Sequence, residues 1–236
     1  MYKRQPLSDT GVIQGMSGSP VYIEGLLIGA VSYALGSFTT EAIAGITPIK
    51  EMVDDVSFPA PRAPMNPVAL HLPMSPERLL EVFRGTLHRT SGFTLHSRDA
   101  LLAQGQLSSG RHAGTMLRPI GTPLNMSGFD GHVTGLLSSA LEGTGMTPVL
   151  GGSQTADTSL ASTPLRPGDA VSVTLIDGDL SLAGTGTVTM IDEDRVYAFG
   201  HQFQNLGPVE FLMNRAHVHT PVSYTHLRAH ETRHDL

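Results

Sequence analysis

The chain has 236 residues, 40% of them hydrophobic and 15% charged, with 26 Gly, 16 Pro, no Cys and no Trp. Low charge and abundant glycine exclude a coiled coil and a highly charged disordered tail, and zero cysteines exclude a disulfide scaffold, a thiolate nucleophile and a Cys zinc site. The net charge of -6 lacks the basic footprint of a nucleic-acid binder, and the longest apolar runs, such as Gly25 to Ala30, fall far short of the ~20 residues that span a bilayer.

In chain order, Met1 to Gln5 resembles a reverse-strand translation of a sequencing adapter and is expected to be non-native. Residues 6–56 read as β structure. Pro20 to Ile23 and Leu26 to Tyr33 predict two strands joined by the two-residue turn Glu24-Gly25, with Gly25 supplying a positive φ. Ala42 to Ile46 and Thr47 to Ile49 continue in short apolar pieces. Residues 57–76 carry six prolines and read as a linker, because proline neither donates to a sheet nor sits inside a helix.

Residues 77–143 are expected to form a small α/β module. A helix starts at Ser75-Pro76-Glu77, with an N-cap, a proline at the first position and an acid near the positive end, and Gly85 is its expected stop. A second helix follows from the 3.6-residue period of Val133, Leu136, Leu137, Ala140 and Leu141. Ser91-Gly-Phe93 and Ser127-Gly-Phe129 hint at an internal repeat. Residues 144–167, rich in Gly, Ser, Thr and Pro, read as a second linker.

From 168 to 222 the β pattern returns. Val171, Val173 and Leu175 alternate, and Gly186 to Ile191 and Arg195 to Phe199 flank a turn at Asp192-Glu193-Asp194. That turn and Asp177-Gly178-Asp179 lack the spacing of a calcium loop. His217 and His219 would share a face on a strand, but no third ligand accompanies them, so a solvated face is expected. The histidines at 71, 88, 96, 112 and 132 read as surface residues. The tail from Ser223 to Leu236 resembles adapter read-through. Its His230-Glu231-Thr232-Arg233-His234 fits the H-E-x-x-H zinc pattern, but the chain stops two residues later with no third ligand, so an accidental match is expected. On this reading residues 6–222 are an interior piece of a longer protein.

The chemistry-bearing motif is Gly15-Met16-Ser17-Gly18-Ser19-Pro20, immediately before the first hairpin. A serine hydroxyl is a poor nucleophile unless a base takes its proton and backbone N–H groups hold the oxyanion. Glycines on both sides of Ser17 allow a sharp turn that exposes the hydroxyl and aims the Gly15 and Ser17 amides at one small hole. Ser19 is the neighbouring hydroxyl, and its expected role is a hydrogen bond within the turn.

This loop is similar to the G-D-S-G-G-P serine loop of chymotrypsin-like peptidases. The longer string from Gly11 to Pro20, with Leu27 to Val31, resembles the SpoIVB serine peptidases, whose nucleophile lies in G-M-S-G-S-P. Gly186-Thr187-Val188-Thr189 and Ala198-Phe199-Gly200-His201 resemble that family's G-T-x-T segment and the A-L-G-H segment of its general base. The resemblance covers roughly 7–55 and 168–220. It implies a mainly β fold, with trypsin-like β-barrel halves flanking the small α/β module. It also implies Ser17 as nucleophile, His201 as base, Gly15 and Ser17 as oxyanion hole, no cofactor, a protein or peptide substrate, and an exported, extracytoplasmic bacterial enzyme.

The family's histidine precedes its serine, whereas His201 follows Ser17 by 184 residues. Either the order is rearranged, or His201 opens a second copy of the motif set. The family's acid, expected some fifteen residues before the serine, has no counterpart in the head, and Asp9 is too near to be equivalent. The rivals are therefore a serine endopeptidase, incomplete in this chain, and a catalytically inactive scaffold that keeps the peptidase fold; a zinc metallopeptidase is the remote third. A distance near ~3 Å from the Ser17 hydroxyl to the His201 ring would favour one site, since catalytic partners need hydrogen-bond reach, and a separation of tens of ångströms would favour two copies.

Overall fold

The computed structural model describes residues 11–35, 43–54, 69–71, 73–82, 117–141, 145–151, 163–201 and 211–218. The chain is mainly β, and its strands fall into two sheets, neither of which closes into a barrel among the described residues.

The first sheet is built around the long strand β2 (Leu26–Leu35). β1 (Pro20–Ile23) folds back on its first half, with Ile23 opposite Leu26. The intervening Glu24 and Gly25 both take positive φ, 51° and 83°, the stereochemistry of a two-residue turn whose twist matches that of the strands. β3 (Ala44–Pro48) pairs antiparallel with β2, and β4 (Leu117–Pro119) pairs antiparallel with Tyr33 to Leu35. After Pro48 the chain turns into the short helix α1 (Ile49–Asp54), inside the block that reads as β structure.

The second sheet has six strands in the order β10-β7-β8-β5-β6, with β9 also on β8. These are β5 (Thr122–Ser127), β6 (Met146–Leu150), β7 (Ala170–Ile176), β8 (Ser181–Asp192), β9 (Arg195–Ala198) and β10 (Leu212–Arg215). β7 forms over the expected apolar residues, although only Val171 of them is fully buried and the pairing slips between Thr174 and Ile176. The 192–195 turn is present, with Asp192 opposite Arg195 and φ +53° at Glu193. β6 runs inside the stretch that reads as a linker, because five residues with a central proline look like a loop. Pro148 is nonetheless tolerable on an edge strand, where its missing N–H costs no ladder bond.

β5 and β6 are parallel, so the chain must cross over between them, and α3 (Gly131–Ala140) is the crossover. Asp130 caps it by accepting from Val133 N at 3.0 Å. The predicted stripe faces inward: Val133, Leu137 and Leu141 pack on Leu124, Met126 and Leu182 of the sheet. The helix α2 (76–82) starts where expected, with Ser75 Oγ accepting from Arg78 N at 3.3 Å, and adds Leu79 to the same core. Its expected stop at Gly85 and the Ser91–Phe93 half of the suspected repeat lie outside the described residues. Strand pairing crosses the blocks drawn from sequence, since β4 joins β2 and β5 joins β8. A smaller core of Val171, Val188 and Phe199 lies beside the serine loop. No described helix is long and apolar enough to cross a membrane.

Candidate active site

The serine loop is a tight turn, Ser19 N donating to Met16 O at 2.9 Å, that hands the chain to β1 at Pro20. Two neighbours fix it. On one side Val31 of β2 makes reciprocal backbone bonds, donating to Ser19 O at 2.9 Å and accepting from Gly18 N at 2.8 Å. On the other lies β8. Thr187 N donates to Ser17 O at 2.9 Å, Thr187 Oγ1 to Gly15 O at 2.9 Å, and Thr189 Oγ1 to Gly18 O at 2.6 Å.

Thr187 and Thr189 are two apart on a strand and so face the same way. That spacing is the physical content of the G-T-x-T segment: two hydroxyls aimed at two carbonyls of the loop. Gly18 sits at φ +95° so close to β8 that a Cβ would overlap Thr187 O and come within 2.5 Å of Phe199 N. No other residue fits there.

The structure brings Ser17 and the Ala198–His201 segment together. Ser17 Oγ, on a residue 1% exposed, donates to Phe199 O at 2.8 Å, and His201 N donates to the same carbonyl at 2.8 Å. Two bonds to one oxygen place the Ser17 hydroxyl and the His201 amide within about 6 Å of each other. Residues 184 apart in sequence are thus neighbours through the His201 backbone, while the Ser17 proton goes to Phe199 O and not to the His201 ring. Phe199 and Gly200 both have positive φ, 67° and 65°, so the turn into His201 is a left-handed one held by its surroundings.

In this conformation the Ser17 hydroxyl points its proton at a backbone carbonyl. Of the two amides expected to line an oxyanion hole, that of Gly15 donates to Gly121 O at a long 3.3 Å. Gln14, one residue earlier, reaches Thr147 Oγ1 of β6 at 3.1 Å, so the loop also leans on the β5–β6 part of the second sheet.

Two participants, Ser32 and Thr47, have no role legible in sequence. Ser32 in β2 is fully buried, with its Oγ 2.9 Å from Gly200 O, and Thr47 Oγ1 donates to Ser32 Oγ at 2.7 Å. The one sequence signal is a hydroxyl in the middle of the apolar run Leu26 to Leu35.

Asp9, weighed as the acid and set aside as too near, lies outside the described residues, as do His88, His96, His112, His219 and the His230–His234 motif. His217 follows the end of β10 and is exposed, and His71 and His132 are exposed as expected. Among the described residues no group of three or more His, Asp or Glu side chains could hold a metal ion. Comparisons of the chain with protein-family models, curated proteins and solved structures return no match.

Proposed function

We propose that the chain carries the nucleophile and base of a SpoIVB-type serine endopeptidase, with Ser17 and His201 acting in one site. The observation that supports this most is the shared Phe199 carbonyl, which joins the two motif segments across 182 positions. On this reading the two sheets are counterparts of trypsin-like barrel halves, with the β5–α3–β6 crossover placed in the second.

Catalysis begins when the Phe199 carbonyl releases the Ser17 hydroxyl. Ser17 Oγ then attacks the scissile carbonyl carbon, its proton passes to the His201 ring, and the Gly15 and Ser17 amides hold the oxyanion. The long Gly15–Gly121 bond is a weak competitor for that role. Collapse breaks the C–N bond as His201 returns the proton to the leaving amine, and water then hydrolyses the acyl-enzyme. The chemistry needs neither a metal nor an organic cofactor. Protein or peptide is the substrate class, and the resemblance puts the parent protein outside the cytoplasm.

A second reading is supported by the burial of Ser17: a peptidase-fold scaffold that binds peptide without cleaving it. A fluorophosphonate probe separates the two. Covalent labelling of Ser17, located by peptide mass spectrometry and lost in Ser17→Ala, carries the enzyme reading. No labelling of the wild type, with peptide binding that survives Ser17→Ala, carries the scaffold.

A further inference from the structure

A fully buried serine at the centre of a ten-residue strand needs a reason, since alanine or valine would serve the sheet without a polar atom to satisfy. Ser32 Oγ has three oxygen neighbours: Thr47 Oγ1 at 2.7 Å, Gly200 O at 2.9 Å and Ala30 O at 3.0 Å. A hydroxyl carries one proton. With Thr47 donating into Ser32 Oγ, the Ser32 proton goes to a carbonyl. Ala30 lies in the β2–β3 ladder opposite Thr47, whereas Gly200 lies in the turn that enters His201. Gly200 O is the nearer of the two carbonyls, and the Ser32 proton placed on it makes Thr47 O–H to Ser32 O–H to Gly200 O a directed chain, each bond polarising the next.

The backbone at Gly200 is pressed onto β2. A Cβ there would lie 2.5 Å from Ser32 Oγ, 3.1 Å from Ala30 Cβ and 3.1 Å from Val31 O. The residue before Ser32 is Val31, whose backbone holds Gly18 and Ser19 of the serine loop. Adjacent residues of one strand thus grip the two halves of the site, Val31 the loop that carries Ser17 and Ser32 the turn that carries His201.

We propose that Ser32, oriented by Thr47, is a positioning residue that fixes the His201 turn against Ser17. The proposal rests on the reading that these two residues form one catalytic site. Misplacing a base relative to its nucleophile by an ångström costs up to about a hundredfold in rate, so the expected effect is kinetic as well as structural.

The test uses the full chain as wild type, Ser32→Ala, Thr47→Val and Thr47→Ser. Two readouts are taken on protein shown to be folded: the fluorophosphonate labelling rate of Ser17, and the Gly200 carbonyl carbon shift read through the His201 amide in an HNCO spectrum. In Ser32→Ala the carbonyl shift moves and labelling slows about tenfold or more. Thr47→Val moves both in the same direction by less, and serves alone if Ser32→Ala does not fold. Thr47→Ser, which keeps the donor, behaves as wild type.

An unmoved Gly200 shift in the Ser32 and Thr47→Val variants overturns the proposal. So does a moved shift and lowered stability with labelling unchanged, which is a purely structural hydroxyl. Absence of labelling in the wild type defeats the peptidase reading instead. The His201 ring resonances then decide the positioning claim, which stands if Ser32→Ala and Thr47→Val displace them and Thr47→Ser does not, and falls otherwise.

Discussion

Replacing Gly18 by alanine tests whether the serine loop is locked onto β8 as described. The residue holds φ +95°, and a side chain in that region costs about 1–2 kcal/mol on backbone grounds alone. The added Cβ would also overlap Thr187 O and press on Phe199 N, both backbone atoms that cannot rotate away. The loop must therefore lift from β8. Lifting breaks four bonds: Thr187 N to Ser17 O, Thr187 Oγ1 to Gly15 O, Thr189 Oγ1 to Gly18 O and Ser17 Oγ to Phe199 O. At about 1 kcal/mol net each, and with the backbone cost, the total loss is about 5–6 kcal/mol. That is a large fraction of the ~5–15 kcal/mol that stabilises a typical fold, and lowers the melting temperature by roughly 10 °C or more.

The control is Gly25→Ala in the first hairpin turn, where φ is +83° but nothing lies within 4 Å of the position its Cβ would take. It carries the backbone cost without the clash, about 1–2 kcal/mol. Thermal unfolding of both variants beside wild type measures the difference. Equal losses in the two would refute the argument, because the close approach of Gly18 to β8 would then contribute nothing.

Three further outcomes are expected. Thr189→Val keeps the shape of a fully buried residue but strands the Gly18 carbonyl, costing about 1–3 kcal/mol in urea unfolding, whereas Thr134→Val on the exposed face of α3 costs far less. Asp130→Ala removes the α3 cap and lowers stability by about 1 kcal/mol, with Asp130→Asn retaining most of it. The carboxyl of Glu77 is held below its ordinary 4.5, chiefly by its own backbone amide, then by the Ser75 hydroxyl, with His132 assisting and slight burial opposing. A lowered folded-state value means the ionised form favours folding above about pH 4.5, and that contribution vanishes as pH falls through the folded-state value. The stability difference between wild type and Glu77→Gln, followed by urea midpoints from pH 7 to 3, should therefore shrink toward acid.

Local features are readable in the sequence because their causes are local. The turn at Glu24-Gly25 needs two positive φ values, and a glycine at the second position declares one of them. The helix α2 announces itself through its Ser75 cap and Pro76, and α3 through an apolar stripe of 3.6-residue period. β6 is not legible, because a five-residue parallel edge strand has no partner nearby in sequence, and Pro148 imitates a loop. β4 is hidden for the same reason, since three residues become a strand only by meeting Tyr33 to Leu35 of β2.

For the site, the division is sharper. Residue types mark Ser17 between its glycines, whereas the threonines 187 and 189 and the segment ending at His201 stand out only through their resemblance to the SpoIVB peptidases. They leave open whether serine and histidine share one locus, and they give no function to Ser32. Those questions turn on which hydroxyl meets which carbonyl: Ser17 on Phe199 across 182 positions, Ser32 on Gly200 across 168. A hydrogen bond reaches only about 3 Å, and no pattern along the chain encodes a meeting of that kind. It is decided when β2 and β8 close on the serine loop from either side.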